Sequence, residues 1–276
     1  MLMRDVKLKN NQFLKLLNEL SPEVEKITKD ESIWKRCLQH DLDRQNPEIR
    51  KKEGYPEKEL YKHSPHWDIL PDNCINLNGK MDPCGMDYLK YQMDVMANKT
   101  DPNASCGYPN KEIFFSLINI EQRFGVDKVK QLRSIVSEIS YKFLGGNSVA
   151  LTAFYPPGGY IPWHHNGNAP GWNILLHYSF GGNGSFFSWH DNEIIEYKDK
   201  DREWLCRAGR FLDTTPPHDR FAPPGQKPRG GEDVPHAGVM DASWHSARTL
   251  DWRFTLSTIT NCEEIWLDII DELETE

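Results

Sequence analysis

The chain has 276 residues, with 33 Lys and Arg against 41 Asp and Glu, a formal charge of −8, and 38% hydrophobic and 11% aromatic residues. At about 100–200 residues per domain, that length suits one large domain with an elaboration or two modest ones, and it excludes a short disulfide scaffold or a disordered tail. The acidic balance gives no global pull toward phosphate, so duplex nucleic acid is disfavoured as a partner without being excluded.

The first eleven residues contain no apolar stretch and no small-residue cleavage site, so no export signal is visible and a cytoplasmic location is expected. From Asn10 to Leu38, Phe13, Leu16, Leu17, Leu20, Val24, Ile27, Ile33 and Trp34 recur at spacings of three and four. They read as two or three short helices interrupted at Ser21-Pro22 and Lys29 to Ser32. Gln45 to Asp82 is charged and proline-rich with isolated aromatics, which reads as irregular, surface-pinned loop. Helical spacing returns over Pro83 to Ala97 and over Val126 to Leu144, where Gly145-Gly146 ends the second helix.

After Gly146 the pattern changes to short β-type runs cut by Gly and Pro: Ser148 to Tyr155, Tyr160 to His165, Trp172 to Phe180, Gly184 to Trp189, Glu193 to Lys198, Trp204 to Leu212 and Trp252 to Ile259. Strands at about ten-residue intervals suggest a β sandwich or jelly roll. Asp213 to Ser243 is too long for a plain connection and reads as a lid or substrate loop. A final helix over Cys262 to Leu273 closes the chain. No apolar run approaches the about 20 residues of a membrane helix. The six cysteines (Cys37, Cys74, Cys84, Cys106, Cys206 and Cys262) have no Cys-x-x-Cys spacing, so free thiols are expected.

The β half concentrates histidines: His164, His165, His177, His190, His218, His236 and His245. A non-haem Fe(II) site needs two imidazoles and usually one carboxylate on a single face, with positions left open. His164-His165-Asn166 at the end of one strand and His245 at the start of another are the candidates. Eight residues after His245 comes Arg253; on an alternating strand Arg253 and Thr255 face one side and can grip one carboxylate. Alternation also assigns Tyr160, Pro162, His164 and Asn166 to a single face.

The run Tyr155-Pro156-Pro157-Gly158-Gly159-Tyr160-Ile161-Pro162-Trp163-His164-His165-Asn166, with Trp244-His245 and Trp252-Arg253-Phe254-Thr255, resembles the Fe(II)/2-oxoglutarate-dependent oxygenases of AlkB type and prolyl-hydroxylase type. The likeness covers about Ser148 to Thr260. It implies a fold that is mainly β with α, a double-stranded β-helix (jelly roll) over 147–261, preceded by a helical and irregular segment 1–146 packing on it and followed by a C-terminal helix 262–276. It implies that His164 and His245 ligate Fe(II) with Asn166 in the third position, that Arg253 pairs with the distal carboxylate of 2-oxoglutarate, and that Tyr155 and Thr255 hydrogen-bond it. The implied activity is a hydroxylase coupling oxidative decarboxylation of 2-oxoglutarate by dioxygen to oxidation of a substrate C–H bond. A small molecule, a protein side chain or a modified base would all serve as substrate.

The chain departs from the family pattern at Asn166, where Asp or Glu is usual. A register with His165 as ligand gives His-x-Gly, as in two-histidine halogenases and aspartyl hydroxylases, and His236 is an alternative distal ligand. A non-catalytic β-sandwich binding protein is the competitor from another class. Trp163, Trp172, Trp189 and Trp244 are candidate walls of the site or plain core, His177 and His190 are candidate supporting groups, and Arg248 is a reserve cosubstrate ligand or, more simply, a surface ion pair.

Overall fold

The structure, a computed structural model, describes residues 3–37, 82, 84–97, 114–145, 149–164, 171–190, 192–211, 244–260 and 262–276. Their elements, in chain order, are β1 (Arg4–Val6), α1 (Asn11–Lys29), a further helical segment over residues 31–37, α2 (Met86–Ala97), β2 (Phe115–Ser116), α3 (Leu117–Phe124), a 3-10 turn (Val126–Val129) and α4 (Lys130–Phe143). Next come β3 (Val149–Tyr155), β4 (Tyr160–His164), β5 (Gly171–Ser179), β6 (Gly184–His190), β7 (Glu193–Lys198), β8 (Trp204–Phe211), β9 (His245–Thr249), β10 (Arg253–Thr260) and α5 (Glu263–Glu274). The chain is therefore mainly β with α. The expected loops over 45–81 and 213–243 lie outside the described residues.

One prediction fails at the start. Ser21-Pro22 does not divide the first helix, which runs unbroken through 19 residues. Asn10 caps it, its Oδ1 accepting from the backbone N–H groups of Gln12 and Phe13. Pro22 forfeits one helical hydrogen bond and costs about 3 kcal/mol. Phe13, Leu16, Leu17, Leu20, Val24 and Ile27 are all buried on either side of it, and at about 1.5–3 kcal/mol each they outweigh that cost. Trp204 also ties this turn down, its Nε1 donating to Leu17 O (3.1 Å) and Ser21 Oγ (2.9 Å). At its C-terminus, α4 stops before Gly145, whose φ of 71° is a conformation that glycine adopts freely.

The strands form two antiparallel sheets, a six-stranded one in the order β1-β8-β5-β10-β3-β2 and a four-stranded one in the order β4-β9-β6-β7. From β3 onward the chain crosses repeatedly between them. The sequence pattern marks only the start of β9, at His245; the structure bounds it as a separate strand, joined to β10 by residues 250–252. The structure also adds β1, β2 and α3, which the sequence pattern does not announce.

Alternation on the large sheet sends Trp172, Ile174, Leu176 and Tyr178 of β5, Phe254 and Leu256 of β10, Phe154 of β3 and Cys206 and Ala208 of β8 to its outer face. There they cluster with the apolar faces of α1, α4 and α5. Trp266 of α5 seals this layer, its ring 4.6 Å from that of Trp172 and its Nε1 donating to Asn173 O. The outer face of the small sheet carries Trp163, Phe187 and Trp244 against Cys84, Tyr88 and Leu89 of the α2 region, with Trp189 packed alongside. All four tryptophans offered as walls of a site thus pack on outer faces, away from the space between the sheets. The inner faces meet through Met3, Leu175, Phe186 and Ala247, with Ile161 and Tyr197 beside them.

Candidate functional site

His164 and His245 are cross-strand partners on β4 and β9. Both are 5% exposed, and their ring centroids lie 4.1 Å apart. Regular alternation does not account for the inward aim of His164. Ile161 pairs with Ala247 and His164 with His245, so two residues of β4 stand opposite the single Ser246 of β9, a β-bulge. The bulge corrects the expected single face of Tyr160, Pro162 and His164: Ile161, not Tyr160, joins the inner cluster.

The bulge has a chemical effect as well. His164 Nδ1 lies 2.8 Å from Pro162 O, and since a carbonyl only accepts, Nδ1 carries the hydrogen. In the neutral ring the lone pair is then on Nε2. Burial holds the imidazole neutral, its pKa lowered to about 4. A neutral imidazole with one nitrogen fixed by a backbone carbonyl and the other carrying a lone pair is the usual state of a metal-ligating histidine. Among the described residues no group of three His, Cys, Asp or Glu side chains converges on one point. Asn166 and the alternatives His165 and His236 lie outside the described residues.

A second cluster sits on the inner face of the large sheet, where β10, β5, β3 and β8 contribute Arg253, Thr255, His177, Tyr155 and Arg207. Arg253 pairs across the ladder with Tyr155 on one side and Ser179 on the other, and Thr255 with His177. The Arg253 guanidinium, 1% exposed, lies over the Tyr155 ring at 5.6 Å. Its Nε donates to Asp199 Oδ2 (2.6 Å), its Nη2 to His177 Nδ1 (2.9 Å) and its Nη1 to Thr255 Oγ1 (3.3 Å). Because His177 Nδ1 accepts from a guanidinium, its hydrogen must be on Nε2. That buried N–H has no hydrogen-bond partner among the described residues. Burial, reinforced by the positive charges of Arg253 and Arg207, drives the His177 pKa well below the ordinary value.

Asp199 joins two cations, since its Oδ1 also accepts from Arg207 Nη1 at 3.1 Å. Arg207 donates in addition to Lys198 O, and its Nε lies 3.4 Å from the exposed Asp5 carboxylate without forming a hydrogen bond. Burial lowers the Arg207 pKa while Asp199 opposes the shift; a guanidinium so placed stays charged. Two buried guanidinia therefore share one buried carboxylate. Gly184 is the residue that makes room for the pairing: a Cβ there would lie 2.3 Å from Asp199 Oδ2 and 3.2 Å from Arg253 Cδ.

Aromatic rings link the two clusters. His177 stacks against Phe186 at 6.3 Å and Phe186 against His245 at 5.8 Å. The histidine pair and the arginine cluster thus share the space between the sheets. His190 ends β6 and is half-buried. Arg248 points outward, paired with Asp82 at 3.1 Å and lying over the Phe187 ring.

Sequence reasoning missed Arg207 and Asp199. Arg207 carried a usable signal, a cation between Cys206 and Ala208 in the middle of the strand Trp204 to Phe211. Asp199, within Lys198-Asp199-Lys200-Asp201, looks like any solvated turn. No protein-family model matches this chain, and no curated protein matches it in sequence.

Proposed function

We propose that this protein is an Fe(II)/2-oxoglutarate-dependent oxygenase, most simply a hydroxylase, on a double-stranded β-helix. The fold reading is supported by strand order. Numbering β3 to β10 as one to eight, the large sheet contains one, eight, three and six and the small sheet two, seven, four and five, an arrangement in which a folded-over ribbon wraps two sheets around one interior. The observation that carries the function is the meeting of the His164 and His245 imidazoles across β4 and β9, in the interior they share with Arg253.

The donor set fits an iron as far as the described residues reach. Both imidazoles are buried and their rings adjoin, and His164 is neutral with its Nε2 lone pair available. The third donor falls to Asn166 or to water, and an amide in place of a carboxylate leaves a weaker, more positive site. Bound iron with 2-oxoglutarate and dioxygen would supply the oxidising chemistry. The chain's own part is to orient and to exclude water. Pro162 O holds the His164 ring, Asp199 and His177 fix the Arg253 fork, and Thr255 and Tyr155 flank the place where a distal carboxylate would lie. The aromatic layers buried on the outer faces would help to exclude water from the interior, which would strengthen each of these interactions.

The test is anaerobic titration of the full chain with Fe(II) and 2-oxoglutarate. A visible charge-transfer band, followed by succinate release on admitting air, supports an oxygenase. Absence of the band at saturating Fe(II) favours a binding protein without catalysis.

A further inference from the structure

We infer that Asp199 is a positioning residue for an anion site between the sheets, and that with Arg207 it sets the site's charge so that one ligand carboxylate balances it. This rests on Arg253 being the anchor for that carboxylate. Asp199 takes Arg253 through Nε and Arg207 through Nη1, so one buried carboxylate restrains two guanidinia; Asp5, 3.4 Å from Arg207 Nε, is exposed and screened by solvent, which leaves one positive charge unmatched in the interior. His177 takes one N–H of Arg253 Nη2, while Nη1 makes only the long bond to Thr255, so each terminal nitrogen keeps an N–H for a new partner and Nη1 is the less committed of the two. The His177 Nε2–H is a second buried donor without a partner among the described residues. Burying an unmatched guanidinium is costly, and an aliphatic carboxylate satisfies that need. A ligand bringing no charge would leave the guanidinium unmatched, so the site selects carboxylates over neutral isosteres.

Glutarate, which has no keto group for metal chelation, probes this site in metal-free full-length protein by calorimetry. Glutarate should bind one to one, and its diamide should not. Orientation and charge separate in the variants. Asp199→Asn raises the local positive charge but releases Arg253, and should weaken glutarate at least about tenfold. Gly184→Ala keeps every charge but crowds Asp199 Oδ2 and Arg253 Cδ together, and should weaken it similarly; Asp199→Glu, which keeps the charge and shifts the carboxylate, should also weaken it and carries the test if Asp199→Asn does not fold. Arg207→Met neutralises the site and should weaken binding, and the double variant Asp199→Asn/Arg207→Met, which restores the charge without the restraint, should stay weak. Binding by Asp199→Asn as tight as the original, or recovery in the double variant, overturns the positioning role. No glutarate binding to the unaltered chain overturns the anion site itself. Neither result depends on whether the histidine pair binds iron, which the charge-transfer band reports separately.

Discussion

The imidazoles of His164 and His245 face each other from neighbouring strands of the small sheet, 4.1 Å between centroids and enclosed by protein. Two buried rings so close gain little from each other, but on the oxygenase reading together they would present ligand atoms to one ion. Replacing either by alanine should reduce Co(II) or Fe(II) affinity by about 100-fold or more, beyond what loss of an outer partner costs. Near-UV circular dichroism should be unchanged. Metal affinity unchanged from that of the unaltered protein in both variants would show that the pair is not the binding site.

Acid should destabilise the metal-free protein through His164 and His177. Both have folded pKa values below the ordinary 6.5. Above that pH neither folded nor unfolded chain is protonated at these rings, and the full stability is present. Below it the unfolded chain takes up protons that the folded chain refuses, so stability falls by up to about 1.4 kcal/mol per pH unit for each ring. For His164 the loss levels off near pH 4, where the folded ring also titrates. Urea midpoints at pH 7, 6 and 5 measure the slope, and His177→Gln should make it shallower. A flat profile would contradict the buried, neutral state of both rings.

Arg253→Met strips Asp199 of its closer cation while leaving Arg207. Loss of one partner from a buried pair costs about 3–5 kcal/mol, and the remaining guanidinium sets the expectation at the lower end, about 3 kcal/mol. Chemical denaturation measures the cost, and 2-oxoglutarate affinity should fall in parallel. A stability change within about 0.5 kcal/mol would mean that the pair carries no weight.

Trp204→Phe tests how the first helix tolerates its proline. The substitution keeps most of the apolar contact with Tyr178 and Phe254 but removes the N–H shared by Leu17 O and Ser21 Oγ. The expected loss is about 1–2 kcal/mol. Hydrogen exchange in α1 should rise around residues 17–22 more than at its first turn. Uniform exchange along the helix would assign the tolerance of Pro22 to apolar burial alone.

These cases show which features could be read from the sequence. Strands with clean alternation and flanking Gly or Pro, such as Trp172 to Phe180, declare themselves because one face must be apolar. Arg253 and Thr255 share a face for the same reason, and the structure joins them by a hydrogen bond. The unbroken α1 was hidden because local proline chemistry is overruled by burial against the sheet, which only tertiary packing supplies. The tryptophans lie on outer faces because the layers flanking the sheets need bulk; composition cannot say which side of a sheet they cover. Asp199 was unreadable for another reason. Its role depends on Arg207 and Arg253, eight and 54 residues away, and on the missing side chain of Gly184.

The extra residue in β4 does two separable things to His164. It absorbs the odd spacing between Ile161 and His164, so that both reach the interior, and it frees the Pro162 carbonyl to fix the ring's hydrogen on Nδ1. Deleting Pro162 would restore the even ladder and still aim the imidazole inward, while removing the group that chooses its tautomer. Aim and proton placement of this imidazole are here entrusted to a single inserted amino acid.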